Sequence, residues 1–197
     1  MGSLIKIPRP LLLAFLAWPS PVHAHQLDEF LQATLVAITP EEIRLQINLT
    51  PGVAVAEQVI GLIDRNRDGI ISTNESAAYA ELVKRDLAVR LDGRKVELKI
   101  ASVYIPGPEE LRTGWGFVQV VYVATPGRLA AGPHKFTLEN RHRPAASAYL
   151  FNAAQTGNAS VRILAQKRNE NQSTGEINFD YHPPPKLSKS SSSRRLP

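Results

Sequence analysis

Residues 64–75 read DRNRDGIISTNE, and the surrounding chain is best understood from this twelve-residue stretch outward. Oxygen-bearing side chains occupy its first, third, fifth, ninth and twelfth positions: Asp64, Asn66, Asp68, Ser72 and Glu75. Calcium is a hard cation that takes about six to eight oxygen ligands. The spacing lets Asp64, Asn66 and Asp68 ligate by side chain, Ile70 by its backbone carbonyl, Ser72 directly or through water, and Glu75 by both carboxylate oxygens. Gly69 stands where such a loop must turn sharply, and Ile71 is the apolar position that anchors the loop. Arg65 and Arg67 partly offset the three carboxylates, which points to modest affinity, near the range of about 10⁻⁴ to 10⁻³ M of extracellular calcium modules.

Both flanks read as helices. Thr50 then Pro51 is a helix-start signal, a hydroxyl cap followed by a fixed φ, and Val55, Val59, Ile60 and Ile63 continue at helical spacing, so a helix is expected over 51–63. Residues 73–87 are rich in Ala, Glu, Leu and Lys and free of Gly and Pro, which favours a second helix. The loop with its helices, residues 51–87, resembles the EF-hand superfamily. That resemblance assigns calcium ligation to Asp64, Asn66, Asp68, Ile70, Ser72 and Glu75.

Outside this insert the pattern is that of strands. Apolar residues alternate over 30–39 and 42–50 around a Pro-containing turn, as in a hairpin. Strands over 88–91 and 95–103 flank Asp92-Gly93, a dipeptide suited to a tight hairpin turn. Further strands are expected at 116–125, 134–141, 148–152, 160–167 and 176–181. The fold expectation is a mostly β chain, an antiparallel β-sandwich of about nine strands interrupted by one EF-hand helix-loop-helix. Tyr149, Leu150, Phe151, Trp115 and Phe117 read as core aromatic and apolar residues of that sandwich.

The chain has 197 residues and no cysteine. Residues 1–24 read as a cleavable secretory signal, with Lys6 and Arg9 ahead of the apolar run Leu11 to Trp18 and a small-residue site at Val22-His23-Ala24. The mature protein is then expected to begin at His25, in the periplasm or outside the cell, without disulfides and without a membrane span. Residues 25–182 form the expected folded domain, and 183–197, with prolines, a serine run and four cations, an unfolded basic tail. The formal charge of +5 comes from the ends, because residues 1–24 and the tail carry cations and no acid. The middle is near neutral, and a nucleic-acid-binding surface is not supported.

No nucleophile elbow, zincin helix, phosphate loop or cysteine-histidine arrangement is present, and the adjacent acids Asp28-Glu29 and Glu109-Glu110 offer no acid/base geometry, so no enzymatic activity is expected. A lesser reading is copper chelation by the free amine and imidazole of His25, which would need a second histidine. His134, His142 and His182 are instead expected at the surface or in turns. Arg141-His142-Arg143 and Lys167-Arg168 would form an anion site if the fold brought them together, but read first as solvated loop charge.

The segments beginning at His25 (HQLDEFLQATLV), Asn48 (NLTPGVAVA) and Glu139 (ENRH) resemble the exported N-terminal region of bacterial hydrogenase/urease accessory membrane proteins of the HupE/UreJ type. This resemblance covers residues 25–182. It implies an extracytoplasmic module that helps a metal-transport or assembly membrane-protein partner. EF-hands usually pair through the backbone at loop position 8, and no second loop is found. Ile71 is therefore left to pair with water, with a strand of its own chain or with the same loop of a second copy, which leaves a homodimer open.

Overall fold

The structure is a computed structural model that describes residues 28–184. The expected signal segment, His25 and nearly all of the basic tail lie outside the described residues.

The first hairpin forms as its alternation dictates. In β1 (Phe30–Ile38) and β2 (Ile43–Pro51) every second side chain is buried, and the strands pair antiparallel from Phe30↔Pro51 to Ile38↔Ile43. The chain then runs through α1 (Ala56–Ile63), α2 (Thr73–Arg85), β3 (Leu87–Leu91), β4 (Arg94–Lys95), β5 (Lys99–Tyr104), α3 (Pro108–Arg112), β6 (Val118–Ala124), β7 (Gly132–Asn140), β8 (Ser147–Ala153), β9 (Val161–Arg168) and β10 (Thr174–Tyr181). The protein is mostly β, with two five-stranded sheets of order β5-β6-β2-β1-β8 and β4-β3-β7-β10-β9.

One apolar cluster draws on both sheets and the helices. It includes Leu45, Ile47 and Tyr122 from the first sheet, Phe136, Ile177 and Phe179 from the second, and Val59, Ile63, Tyr79 and Val83 from α1 and α2. Each such side chain, when fully buried, contributes about 1.5–3 kcal/mol, so the helices are held chiefly by this contact.

Several expectations need correction. The β1–β8 pair is parallel, from Phe30↔Ser147 to Val36↔Ala153, so the sheets are not wholly antiparallel. The strand expected over 95–103 is two strands in different sheets: β4 pairs β3, and after residues 96–98 β5 pairs β6, which carries the chain across the core and raises the strand count to ten. Pro51 ends β2 rather than opening a helix, and α1 begins at Ala56 after a turn closed by the Val55 amide on the Gly52 carbonyl. The second helix stops at Arg85 with Asp86 as its cap, and Leu87 already belongs to β3. The short helix α3 and a 3-10 turn at Pro144–Ala146 had no expectation. Tyr149 and Phe151 are core residues, but Trp115, Phe117 and Leu150 are exposed.

Candidate functional site

The loop between α1 and α2 brings the residues of 64–75 into one turn. On α1 the buried Ala56, Val59, Ile60 and Ile63 follow helical spacing and fix its inner face. Asp64 caps the helix end, its amide bonded to the Ile60 carbonyl. On the other side Ser72 caps α2 in a reciprocal capping box: its hydroxyl accepts from the Glu75 amide at 3.2 Å, and Glu75 Oε2 accepts from the Ser72 amide at 3.0 Å. Tyr79, Ala80 and Val83 bury the inner face of α2.

Within the loop the backbone is left-handed at Arg67 (φ 61°) and Gly69 (φ 79°), so the chain curls twice in three residues. Short polar side chains hold the curl. Asn66 Oδ1 accepts from the Asp68 amide at 3.1 Å, Asp68 Oδ1 from the Ile70 amide at 2.8 Å, and Asn66 Nδ2 donates to Asp68 Oδ2 at 2.8 Å. Glu75 reaches back from α2, and its Oε1 accepts from the Arg65 amide at 2.9 Å. The hydrogen bonds from the Ser72 amide and hydroxyl, joined by those from the Arg65 and Asn66 amides, hold the Glu75 carboxyl below its usual value. A group already favoured as an anion suits a cation ligand.

Asp64 is the exceptional member. Only 5% exposed, it accepts from the Gly69 amide through Oδ2 at 2.9 Å, while its buried Oδ1 has no hydrogen-bond partner. An unpaired buried carboxylate oxygen costs more than the roughly 1–3 kcal/mol of a neutral group. A hard cation would satisfy it. Ile70 is exposed at its side chain, and Ile71 is half-buried against the core. Ile71 makes no backbone hydrogen bond to another described residue. Among the described residues no three His, Cys, Asp or Glu side chains converge on one point, so the carboxylates of Asp64, Asp68 and Glu75 stand apart, each tied to loop amides.

The structure also contains a polar cluster that the sequence reading missed. His142, expected at the surface, is 1% exposed. Its Nδ1 lies 2.7 Å from Asp86 Oδ2 and its Nε2 3.4 Å from Tyr79 Oη. Its carbonyl accepts from Gln32 Nε2 and Tyr149 Oη, and its amide donates to Asn140 Oδ1. Burial pushes the His142 imidazole down against the pull of Asp86. The cluster ties the end of α2 to β1 and β7. Its sequence signals were a polar Gln32 at an inward position of β1 and a polar Asn140 at an inward position of β7.

The copper reading falls on His25, outside the described residues. Each of the three candidate partners is already held by an aspartate: His134 by Asp92 at 2.7 Å, His142 by Asp86, and His182 by Asp180 at 3.0 Å. Arg141 pairs with Glu139, and Arg168 donates to the Phe151 carbonyl, so neither contributes to a shared anion site. No helix among the described residues is long and apolar enough to cross a membrane. No family model matches the chain, and no curated protein matches it.

Proposed function

We propose that this chain is an exported, non-enzymatic calcium-binding protein in which a single EF-hand, inserted in a β-sandwich, binds one structural ion. Asp64, Asn66, Asp68 and Ser72 supply side-chain oxygens, Ile70 its carbonyl and Glu75 its carboxylate. The observation that carries this reading is the buried, unpartnered Oδ1 of Asp64 at the first loop position, in a loop already curled at Arg67 and Gly69. When bound, calcium would supply positive charge to loop carboxylates that otherwise lean on loop amides. The protein's own residues fix the response. Tyr79, Ala80 and Val83 are buried, and Tyr122 Oη donates to the Ala80 carbonyl at 2.7 Å, so the second half of α2 is fastened to the core. A helix held this way favours an ion that stabilises the native form by linkage over one that opens a groove.

The test is a calorimetric titration of calcium into chelator-stripped protein, with thermal unfolding of the same samples and magnesium as control. One site per chain with a raised melting temperature supports the proposal. Neither heat nor shift at millimolar calcium would leave a scaffold without an ion. The unpaired Ile71 backbone favours a further reading, pairing of the loop with its copy in a second chain. A calcium-loaded monomer by light scattering would remove it.

A further inference from the structure

We infer that the cleft between β4 and the loop 125–131 binds a small organic anion, held by the guanidinium groups of Arg94 and Arg128 with Lys95 beside them. The inference stands apart from the calcium reading. The cleft has a volume of about 470 Å³, and its lining includes Arg94, Lys95, Glu97, Arg128 and His134. That size suits a small-molecule ligand, for which sites run to about 300–1,000 Å³.

One short segment of β7 builds both walls. His134 Nε2 lies 2.8 Å from the Ala130 carbonyl, which ties down the loop that carries Arg128. His134 Nδ1 lies 2.7 Å from Asp92 Oδ2, at the turn that leads into Arg94 and Lys95. Lys135, the next residue, makes two further bonds to Asp92: its amide donates to Oδ1 at 2.9 Å, and its carbonyl accepts from the Asp92 amide at 2.8 Å. The His134 side chain is only 8% exposed and stacks on Phe179, so this part of the cleft is continuous with the core. Arg94 stands opposite Leu91 in the β3–β4 pair. Directly opposed residues share a face, which puts Arg94 on the side that Leu91 buries.

The charge of these walls selects the occupant. Arg94, Lys95 and Arg128 form no ion pair among the described residues. Asp92 commits its two oxygens to His134 and the Lys135 amide, which leaves Glu97 as the remaining carboxylate of the lining against three cations. Guanidinium groups bind carboxylate and phosphate oxygens in pairs, so an oxyanion relieves the imbalance. Leu91, Val96 and Leu129 also line the cleft and favour an organic body over a bare inorganic ion. The adjoining hollow is lined by Glu41, Glu42 and Glu97. The positive field therefore ends at the edge of the cleft, which suits a small anion and repels a long polyanion.

The test is an NMR titration of the protein, dialysed free of metal and chelator, with succinate and with phenyl phosphate at constant ionic strength. The His134 ring and the amides around Arg94 and Arg128 should shift along one saturable curve with at least one probe. The tighter of the two identifies carboxylate or phosphate as the preferred group. Both arginines are exposed, so their replacement spares the fold. Arg94→Gln and Arg128→Gln should each weaken binding about tenfold. Arg141→Gln, at the opposite end of β7, should leave it unchanged. Shifts that never saturate with either probe, equal shifts with chloride, or unaltered affinity in both arginine variants would overturn the inference.

Discussion

The Gly69 amide donates to Asp64 Oδ2 at 2.9 Å across the loop, so one oxygen of this carboxylate closes the turn while the other is buried without a partner. Replacing Asp64 by alanine removes both roles. If calcium occupies the loop, the ion at about a hundredfold excess over its Kd stabilises the native protein by about 2.7 kcal/mol. For a chain of this size that is about 5–10 °C in Tm. Asp64→Ala should abolish the difference between calcium-loaded and chelator-treated melting curves, and a preserved difference would place the ion elsewhere.

Gly69 separates loop geometry from packing. Its φ of 79° disfavours any β-carbon, yet nothing lies within 4 Å of the place where one would stand. Gly69→Ala should therefore cost about 1–2 kcal/mol from backbone strain alone. Urea unfolding in chelator measures that cost, and a larger loss would mean that Gly69 carries contacts beyond its conformation.

The two histidines at opposite ends of β7 should tilt stability with pH in opposite directions. His142 is held below its usual value of 6.5 by burial. Its contribution is complete above about pH 6.5 and is lost as pH falls towards the folded value, because the unfolded chain takes the proton first. His142→Asn should flatten the acid side of the stability profile, whatever it does to absolute stability. An unchanged acid slope would show that other groups set it.

His134 works the other way. Burial opposes its charge, but the Ala130 carbonyl at 2.8 Å and Asp92 at 2.7 Å face its two ring nitrogens, and together they raise its pKa. The stability it contributes is complete below about pH 6.5 and lost as pH rises through the folded value. NMR titration of the imidazole carbons should place His134 above and His142 below an ordinary histidine, and the reverse order would refute both assignments.

Much of this architecture could be read from residue spacing. Alternation located β1 and β2 because each has one buried face and side chains repeat every second residue. The same period carries no strand direction, so the parallel pairing of β8 with β1, more than a hundred residues apart in sequence, left no local trace. Thr50-Pro51 misled because proline at the last residue of a strand needs no ladder donor and satisfies a helix-start rule equally well. Trp115 and Phe117 had a core composition, and only the backbone demands of Gly114 and Gly116 turn them outward. The turn at 64–75 between two helices was readable because the residues that shape it, Asn66, Asp68 and Gly69, are neighbours in sequence. The His142 cluster was not, because Gln32, Asp86 and Asn140 meet only after both sheets have formed.

Gly175 tests how the two sheets fit together. It faces inward on β10, and the Phe151 ring of β8 occupies the space its β-carbon would need. Neither side can yield easily: Phe151 is 1% exposed, and its backbone is held by Gln166 and Arg168 donating to its carbonyl. Gly175→Ala should then cost about 1–3 kcal/mol by overpacking. In a Phe151→Leu background the smaller side chain vacates part of that space, so the same alanine should cost clearly less. A double-mutant cycle in urea measures the difference. Additive costs would mean that strain in β10 itself, and not the contact between the sheets, excludes a side chain at this position.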